Sequence, residues 1–254
     1  MTDPAAPLGS AVGVVVGATD VEATLAFLAR FDFTHVTLIG PEAHARVRGG
    51  HGVPIIVVAA TGGATAPCDY EQRARAIDIY TGDLDAALAA LDGEQCSPIG
   101  VVELGPVRMR QALVSGPDGL PIVLVESTHR RASILDTEPD RLFSDPHSVV
   151  WCVADRDAEA TWWVEQHAMT KGMDLAFEEP AVSEYLGLPD SPVRIEMTML
   201  SDAEVSSLRL ELLAFPDQAG DAVLFDADAA GIRGLRFGSG QAAAVSPGGI
   251  RYEA

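Results

Sequence analysis

The sequence predicts an α+β fold made of tandem βαβββ modules whose mixed sheets curl, with a shortened fourth module. Three observations support this fold class. A strand followed by a helical pattern occurs three times, at residues 11–33, 74–91 and 148–169. A turn followed by an apolar strand occurs at residues 115–126 and, in shorter form, at 246–254. Extended segments rich in β-branched residues lie between the helices and the closing strands, which is typical of sheets with local pairing.

Each copy of the repeat has an acidic residue where the strand is expected to end and the helix to begin. These residues are Asp20, Asp83 and Asp157, and the same Glu-Ala-Thr triplet follows the first and the third. An acidic side chain at this position accepts hydrogen bonds from the unpaired amides of the first helical turn. Thr19 and Glu22 also have the spacing of a capping box. Each junction is therefore predicted to be a buried strand followed by a capped helix.

The other predicted strands indicate where each module begins and ends. Further strands are predicted at 37–40, 51–60, 107–115, 193–200 and 205–215. The modules then span about 10–63, 69–127 and 147–217. Only residues 231–254 remain for a fourth module, which is enough for a first and a last strand but too short for the helix as well.

The segment between the second and third modules is charged, polar and interrupted by prolines, as linkers commonly are. We therefore predict an N-terminal domain of two modules at 1–127, a linker at 128–146, and a C-terminal domain at 147–254 with one full module and the abbreviated fourth. A second copy of the chain in a homodimer could complete that fourth module.

The composition excludes some classes of partner. The chain has 17 Lys and Arg against 37 Asp and Glu, a formal net charge of −20. Such a surface repels phosphate backbones and anionic lipids, so nucleic-acid and membrane-surface roles are not expected. The apolar run at 11–18 is too short to span a bilayer and no Lys or Arg precedes it, so we interpret it as a strand. Cys68, Cys96 and Cys152 have no metal-binding spacing, and reduced thiols in a cytoplasmic protein are the simplest interpretation.

The opening Asp-x-Glu-Ala-Thr segments and the closing Gly-Pro-Asp-Gly-x-x-Ile-x-Leu segment at 116–124 resemble the signature segments of the vicinal oxygen chelate superfamily. This superfamily includes glyoxalases, bleomycin-resistance proteins and extradiol dioxygenases. The resemblance implies paired βαβββ half-barrels that enclose a cleft. It also implies a divalent metal in that cleft, bound by His, Gln or Glu of first strands and by Glu of last strands.

Most of the residues at the ligand positions that this resemblance implies cannot bind a metal. The first-strand positions are occupied by Gly13, Ala76, Val150 and Gly234. The last-strand positions are occupied by Ile56, Val123, Glu211 and Glu253. Only the two glutamates carry a donor atom of the kind that metals require. No cofactor is therefore predicted, although a divalent metal stays open as an alternative.

Residues that alternate with the ligand positions along each strand should line the same cleft. The predicted catalytic residues are Glu211, Glu253, Asp78 and Tyr80, and the predicted substrate-binding residues are Arg209, Arg236, Arg251, Cys152 and Val123. Asp78, Tyr80 and Val123 are expected in an apolar N-terminal cleft, and the others in a charged C-terminal cleft. Arg–Glu pairs on an exposed sheet face are an equally weighted alternative for the charged group, and a closed apolar core is an equally weighted alternative for the N-terminal cleft.

Three functions remain open on this evidence. The first is an isomerase, epimerase or lyase that acts on a small organic molecule by carboxylate acid–base chemistry without a metal. The second is a protein of the bleomycin-resistance type that binds or sequesters a small molecule. The third is a metal-dependent glyoxalase or dioxygenase with Glu211, Glu253 and His147 as ligands, but an exposed His147 beside Pro146 is the simpler expectation.

Overall fold

The structure is a computed structural model that describes residues 10–50, 52–63, 69–202, 208–218, 220–223, 228–238 and 243–253. Four helices are present in these ranges: α1 (Val21–Ala29), α2 (Leu84–Ala90), α3 (Arg156–His167) and α4 (Pro180–Tyr185). The first eight strands are β1 (Ala11–Ala18), β2 (His35–Ile39), β3 (Glu42–Arg46), β4 (Ile55–Ala59), β5 (Ala74–Tyr80), β6 (Gln95–Cys96), β7 (Gly100–Leu104) and β8 (Val107–Ser115). The others are β9 (Pro121–Ser127), β10 (Pro146–Cys152), β11 (Thr170–Phe177), β12 (Ile195–Ser201), β13 (Arg209–Ala214), β14 (Gly231–Phe237), β15 (Ala244–Val245) and β16 (Arg251–Glu253).

The predicted strand-to-helix junctions are present, with two differences in detail. Asp20 and Asp83 cap α1 and α2, each accepting a hydrogen bond from the amide three residues later. The cap of α3 is Asp155, and Asp157 lies in the first turn, so the predicted alignment is two residues late. The predicted capping box is wrong because the Thr19 hydroxyl donates instead to Asp118, at 2.6 Å. The Asp118 carboxylate, which belongs to the second module, is thus the partner of Thr19 in place of the nearby Glu22.

The strands form two curled mixed sheets in the described residues. The first sheet has the order β15-β16-β14-β1-β4-β3-β2. The second has the order β11-β12-β13-β10-β5-β9-β8-β6, with β7 paired to β8. The α+β class and the half-barrel modules are as predicted. The shortened fourth module is also as predicted, since its described residues contain three strands and no helix.

The sheets do not follow the predicted domain boundaries. The first sheet joins module one to the abbreviated fourth module through antiparallel pairing of β1 with β14. The second sheet joins modules two and three through antiparallel pairing of β5 with β10. Each sheet therefore combines a part of 1–127 with a part of 147–254.

One shared apolar core lies between the sheets and the helices. It contains strand residues from both sheets, such as Val16, Ile77 and Leu235, and helix residues such as Leu28 and Trp163. Burial of this size supplies the main driving force for the fold. Because strand residues alternate between faces, the other face of each curled sheet is turned away from this core, and these two faces are called the first and the second cleft below.

A second, smaller apolar cluster fills part of the cleft of the second sheet, where α4 packs against it. Val182 and Leu186 of the α4 segment belong to this cluster. The Arg75 guanidinium donates to the Leu186 carbonyl at 2.8 Å, and the Tyr70 hydroxyl donates to Asp190 at 2.9 Å. These contacts hold the α4 segment, which the sequence did not predict, over one side of the cleft.

No helix in the described ranges is both long enough and apolar enough to cross a membrane.

Candidate functional site

The fold produces two clefts, one on each sheet, and the predicted site residues divide between them. Asp78, Tyr80, Val123, Cys152, Arg209 and Glu211 lie on the cleft face of the second sheet. Arg236, Arg251 and Glu253 lie on the first sheet. The predicted N-terminal and C-terminal groups are therefore mixed, because each sheet is built from both halves of the chain.

The charged residues of the first cleft neutralise one another. The Arg236 guanidinium donates to both oxygens of Glu42, at 2.6 and 2.8 Å, and also to Glu253 at 2.8 Å. Arg251 pairs with the other Glu253 oxygen at 2.6 Å, and His44 contacts Glu42 at 3.0 Å. The hydrogen bond from Arg236 lowers the pKa of Glu42 to about 2. The Arg and Glu side chains of this cleft are thus joined in a network of ion pairs.

At two ligand positions implied by the family resemblance, neighbouring atoms of the first cleft already occupy the space that a larger side chain would need. A Cβ atom added at Gly13 would lie 2.4 Å from Ile56 Cδ1. One added at Gly234 would lie 2.4 Å from the carbonyl oxygen of Arg251. Neither glycine can therefore be exchanged for a histidine without displacing its neighbours.

The second cleft places polar side chains in register across three strands. Asp78 of β5 lies opposite Ser148 of β10, and Ser148 lies opposite Arg209 of β13. One step along the strands, Ala76, Val150 and Glu211 form the next row. Arg209 and Glu211 are thus neighbours on one face of β13.

Hydrogen bonds connect most of these groups into one network. The Ser148 hydroxyl donates to Asp78 Oδ2 at 2.8 Å. Arg209 Nη2 donates to the Tyr80 hydroxyl at 3.2 Å and lies 3.1 Å from His147 Nδ1. The His147 and Tyr80 rings stack with their centroids 3.7 Å apart and an interplanar angle of 9°.

The expectation that His147 is exposed is wrong. A register shift between Pro146 and Ser148 interrupts the pairing of β10 with β5, and the His147 side chain is 6% exposed. Burial, reinforced by the positive charge of Arg209, keeps the pKa of His147 well below its ordinary value. His147 is therefore a neutral, buried member of the second cleft.

The two carboxyl groups of the second cleft differ in their surroundings. Asp78 is buried, and burial together with the charge of Glu211 raises its pKa well above the ordinary value. Glu211 is half-buried, and burial raises its pKa to about 7 although Arg209 opposes the rise. Burial therefore favours the protonated, neutral form of Asp78, whereas Glu211 is close to its midpoint at neutral pH.

The other two predicted residues of this cleft are part of its apolar wall. Cys152 is 1% exposed, and burial raises the pKa of its thiol to about 11, so it is not a nucleophile at neutral pH. Val123 is buried opposite Asp78. Met109, Leu113 and Met199 are only partly buried and extend the apolar surface.

The donor groups do not fit a metal ion. Glu211 and Glu253, the two glutamates at ligand positions implied by the resemblance, belong to different sheets. In the described part of the chain, no group of three or more His, Cys, Asp or Glu side chains is arranged to hold a metal. The ligand set of Glu211, Glu253 and His147 is therefore not assembled.

Sequence reasoning missed three features of the second cleft. Ser148 could have been found, because it lies two residues before Val150 and strand alternation places it on the same face. The position of His147 depends on a local register shift that no sequence pattern indicates. The α4 segment over the cleft, with Tyr185 near Asp78 and Glu211, is too short for a helical periodicity to predict it.

The fold agrees with that of solved vicinal oxygen chelate proteins. Glyoxalase I from Zea mays aligns with a TM-score of 0.63 at 13% identity, covering 96% of this chain and 90% of that protein. A Bacillus subtilis protein provisionally assigned as a dioxygenase aligns with a TM-score of 0.60 at 11% identity, covering 98% of this chain and 85% of that protein. No family model and no curated protein sequence matches the chain.

The chain therefore has the vicinal oxygen chelate fold over nearly its whole length, and the resemblance inferred from its sequence is confirmed at that level. Identities this low establish the fold and leave the reaction to be argued from the site itself.

Proposed function

We propose that this protein is an acid–base enzyme that acts on a small organic molecule in the second cleft, with Glu211 as the general base. The main observation behind the proposal is the pair of unlike carboxyl groups, a buried Asp78 whose neutral form is favoured by burial and a half-buried Glu211 with a pKa of about 7. Environments that separate the pKa values of two carboxyl groups assign an acid and a base. A general base acts best when its pKa lies near the working pH.

The proposed step is proton removal from a carbon beside a carbonyl group. The C–H bond breaks, the proton passes to the Glu211 carboxylate, and the electron pair moves into the carbonyl to give an enolate. Arg209 and the neutral Asp78 acid can stabilise the oxygen that gains charge. Return of the proton to the same or another carbon completes an epimerisation or isomerisation, and loss of a β substituent completes an elimination.

Residues of the first cleft have no part in this step. Arg236, Arg251 and Glu253 are bound to one another and to Glu42, so freeing any of them would break an ion pair. Glu253→Gln consequently serves as the matched control for Glu211→Gln: both substitutions neutralise a half-buried glutamate at corresponding positions of a last strand.

The test measures hydrogen–deuterium exchange at carbon by proton NMR in D₂O. The substrates are a panel of small carbonyl acids that includes 4-methyl-2-oxopentanoate, whose C3 protons are acidic. We expect the native protein to accelerate exchange for at least one member, with a rate that rises as pH increases through about 7 as Glu211 loses its proton. Glu211→Gln should lower that rate by 100-fold or more, about the usual contribution of a general base, and Glu253→Gln should leave it unchanged. Exchange that is equal in native protein and Glu211→Gln would refute the proposal.

A binding protein is the second candidate, and a specific feature favours it. The apolar cluster of the second cleft includes residues of α4 and of the strands, with the partly buried Met109, Leu113 and Met199 packed against it. An apolar pocket with a few polar groups is a common small-molecule site with or without chemistry. Saturable binding of a panel member with no carbon exchange would favour this candidate over the enzyme.

A further inference from the structure

His147 lies within the polar network of the second cleft, although no ligand position of the family resemblance falls on it. Its ring is fixed on two sides, by the stack with Tyr80 and by Arg209 Nη2 at 3.1 Å from Nδ1. A ring held in this way is preorganised, because it loses little further freedom when a ligand binds.

The contact with Arg209 determines which ring nitrogen carries the proton. Nδ1 has two neighbours, Arg209 Nη2 at 3.1 Å and the Ser148 hydroxyl at 3.2 Å. A guanidinium group only donates hydrogen bonds, so the contact with Arg209 is a hydrogen bond only in the tautomer whose Nδ1 accepts. The histidine is neutral, and its one proton is therefore on Nε2. Nε2 is buried and has no hydrogen-bond partner in the described part of the chain. His147 thus presents an unused donor.

Two further atoms of the same network are buried and unpartnered among the described residues. They are Asp78 Oδ1 and Arg209 Nε. Ser148 donates to Asp78 Oδ2, so Oδ1 is the oxygen that carries the proton whenever Asp78 is in its acid form, which burial favours. Buried polar atoms are nearly always hydrogen-bonded in folded proteins, and unpaired ones indicate a missing partner such as a ligand or water. All three atoms belong to residues of the one network around Ser148 and Tyr80.

We infer that His147 Nε2, Arg209 Nε and Asp78 Oδ1 bind the anionic oxygen group, a carboxylate or enolate, of a small molecule with an apolar body. All three atoms can donate, which suits an acceptor-only group. Arg209 supplies a positive charge at this point, and the partly buried Met109, Leu113 and Met199 side chains supply an apolar surface for the rest of the molecule. The inference rests on the proposed function for the choice of the second cleft, and it names the ligand class and a further binding residue.

The first test compares two ligands of matched shape by isothermal titration calorimetry. They are 4-methyl-2-oxopentanoate and 4-methyl-2-pentanone, the second of which lacks the carboxylate. The native protein should bind the acid at least tenfold more tightly than the ketone, because hydrogen bonds to a charged group contribute more than apolar contact of this size. Equal affinity, or no binding of the acid at 10 mM, would overturn the inference.

The second test removes the donor and keeps the aromatic stack. His147→Phe should weaken binding of the acid about tenfold or more and leave the weak binding of the ketone unchanged. His129→Phe, at an exposed histidine, is the matched control and should bind the acid as the native protein does. Unchanged affinity for the acid in a folded His147→Phe protein would contradict the inference.

A spectroscopic measurement on the native protein tests the inference even if the His147→Phe variant does not fold. Two-bond ¹H–¹⁵N correlation spectra distinguish the two neutral tautomers of a histidine. His147 should show the Nε2–H tautomer, and addition of 4-methyl-2-oxopentanoate should shift its Nε2 signal while His129 stays unchanged. An Nδ1–H tautomer, or an Nε2 signal insensitive to saturating acid, would overturn the inference.

Failure of this inference can be separated from failure of the proposed function. If the acid binds through His147 but no carbon exchange occurs, the inference stands and the proposed base chemistry fails. If exchange depends on Glu211 while affinity is indifferent to His147, the base chemistry stands and the inference fails. Glu211→Gln should retain affinity for the acid, since the substitution removes a negative charge beside the ligand.

Discussion

Replacement of Glu211 by glutamine should stabilise the protein at neutral and alkaline pH. The carboxyl group has an ordinary pKa of 4.5 that burial raises to about 7 in the folded state. Between these values the unfolded chain releases the proton and the folded chain keeps it, so folding stability falls as the pH rises through this window. The loss is complete above about pH 7. Glutamine does not titrate, so the Glu211→Gln variant does not lose folding stability in this pH window.

The magnitude follows from the two pKa values. Each pKa unit corresponds to about 1.36 kcal/mol, so the full loss is about 3 kcal/mol. Glu211 is half-buried and partly screened by water, which lowers the expected gain in the variant to about 2 kcal/mol. Asp78 adds to the gain, because the charge of Glu211 helps to raise its pKa.

The assay is urea unfolding of native protein and Glu211→Gln from pH 4 to pH 8.5, followed by fluorescence of the three tryptophans. The difference between the two free energies of unfolding should be constant below pH 4.5, increase in favour of the variant between 4.5 and 7, and level off above 7. A difference that is independent of pH, or a variant less stable than the native protein at pH 8, would refute the reasoning.

Two further substitutions test other parts of the structure. Glu42→Gln should have the opposite sign: the pKa of Glu42 is lowered to about 2, so the native advantage is present above pH 4.5 and disappears as the pH falls towards 2. Because Glu42 is near the surface, we expect an advantage of about 1 kcal/mol in the same urea assay, and a variant as stable as native protein at pH 7 would contradict the ion-pair network. Asp83→Ala removes the cap of α2 and should cost about 1 kcal/mol in thermal unfolding. An unchanged melting temperature would show that the Asp83 cap adds nothing to stability.

Local features of this fold were predictable because their causes are local. Asp20 and Asp83 mark helix starts in the sequence and cap helices in the structure. The alternation that placed Asp78 and Tyr80 on one face of β5 also holds, since strand geometry alone determines it. Even the shortened fourth module follows from counting the residues that remain.

The composition of the site was less predictable because it depends on which strands pair. Glu211 and Glu253 occupy equivalent positions in their modules, yet burial raises the pKa of Glu211 whereas Glu253 is paired with Arg236 and Arg251. Pairing between modules is decided by packing across the whole chain, which no local pattern encodes. The burial of His147 depends on a single-residue register shift, and a shift of one residue moves a side chain to the other face of a sheet.

The two sheets also differ in how far apart their strands lie along the sequence. The strands of the second sheet lie between residues 74 and 214, whereas the first sheet needs strands from both ends of the sequence. During synthesis, the sheet that carries the candidate site can close before residues 231–253 have been made. The first sheet must wait for them, since β14 pairs with β1 across almost the full length of the chain. The two sheets thus differ in how much of the chain must be made before all of their described strands are available, 214 residues for the second sheet and 253 for the first.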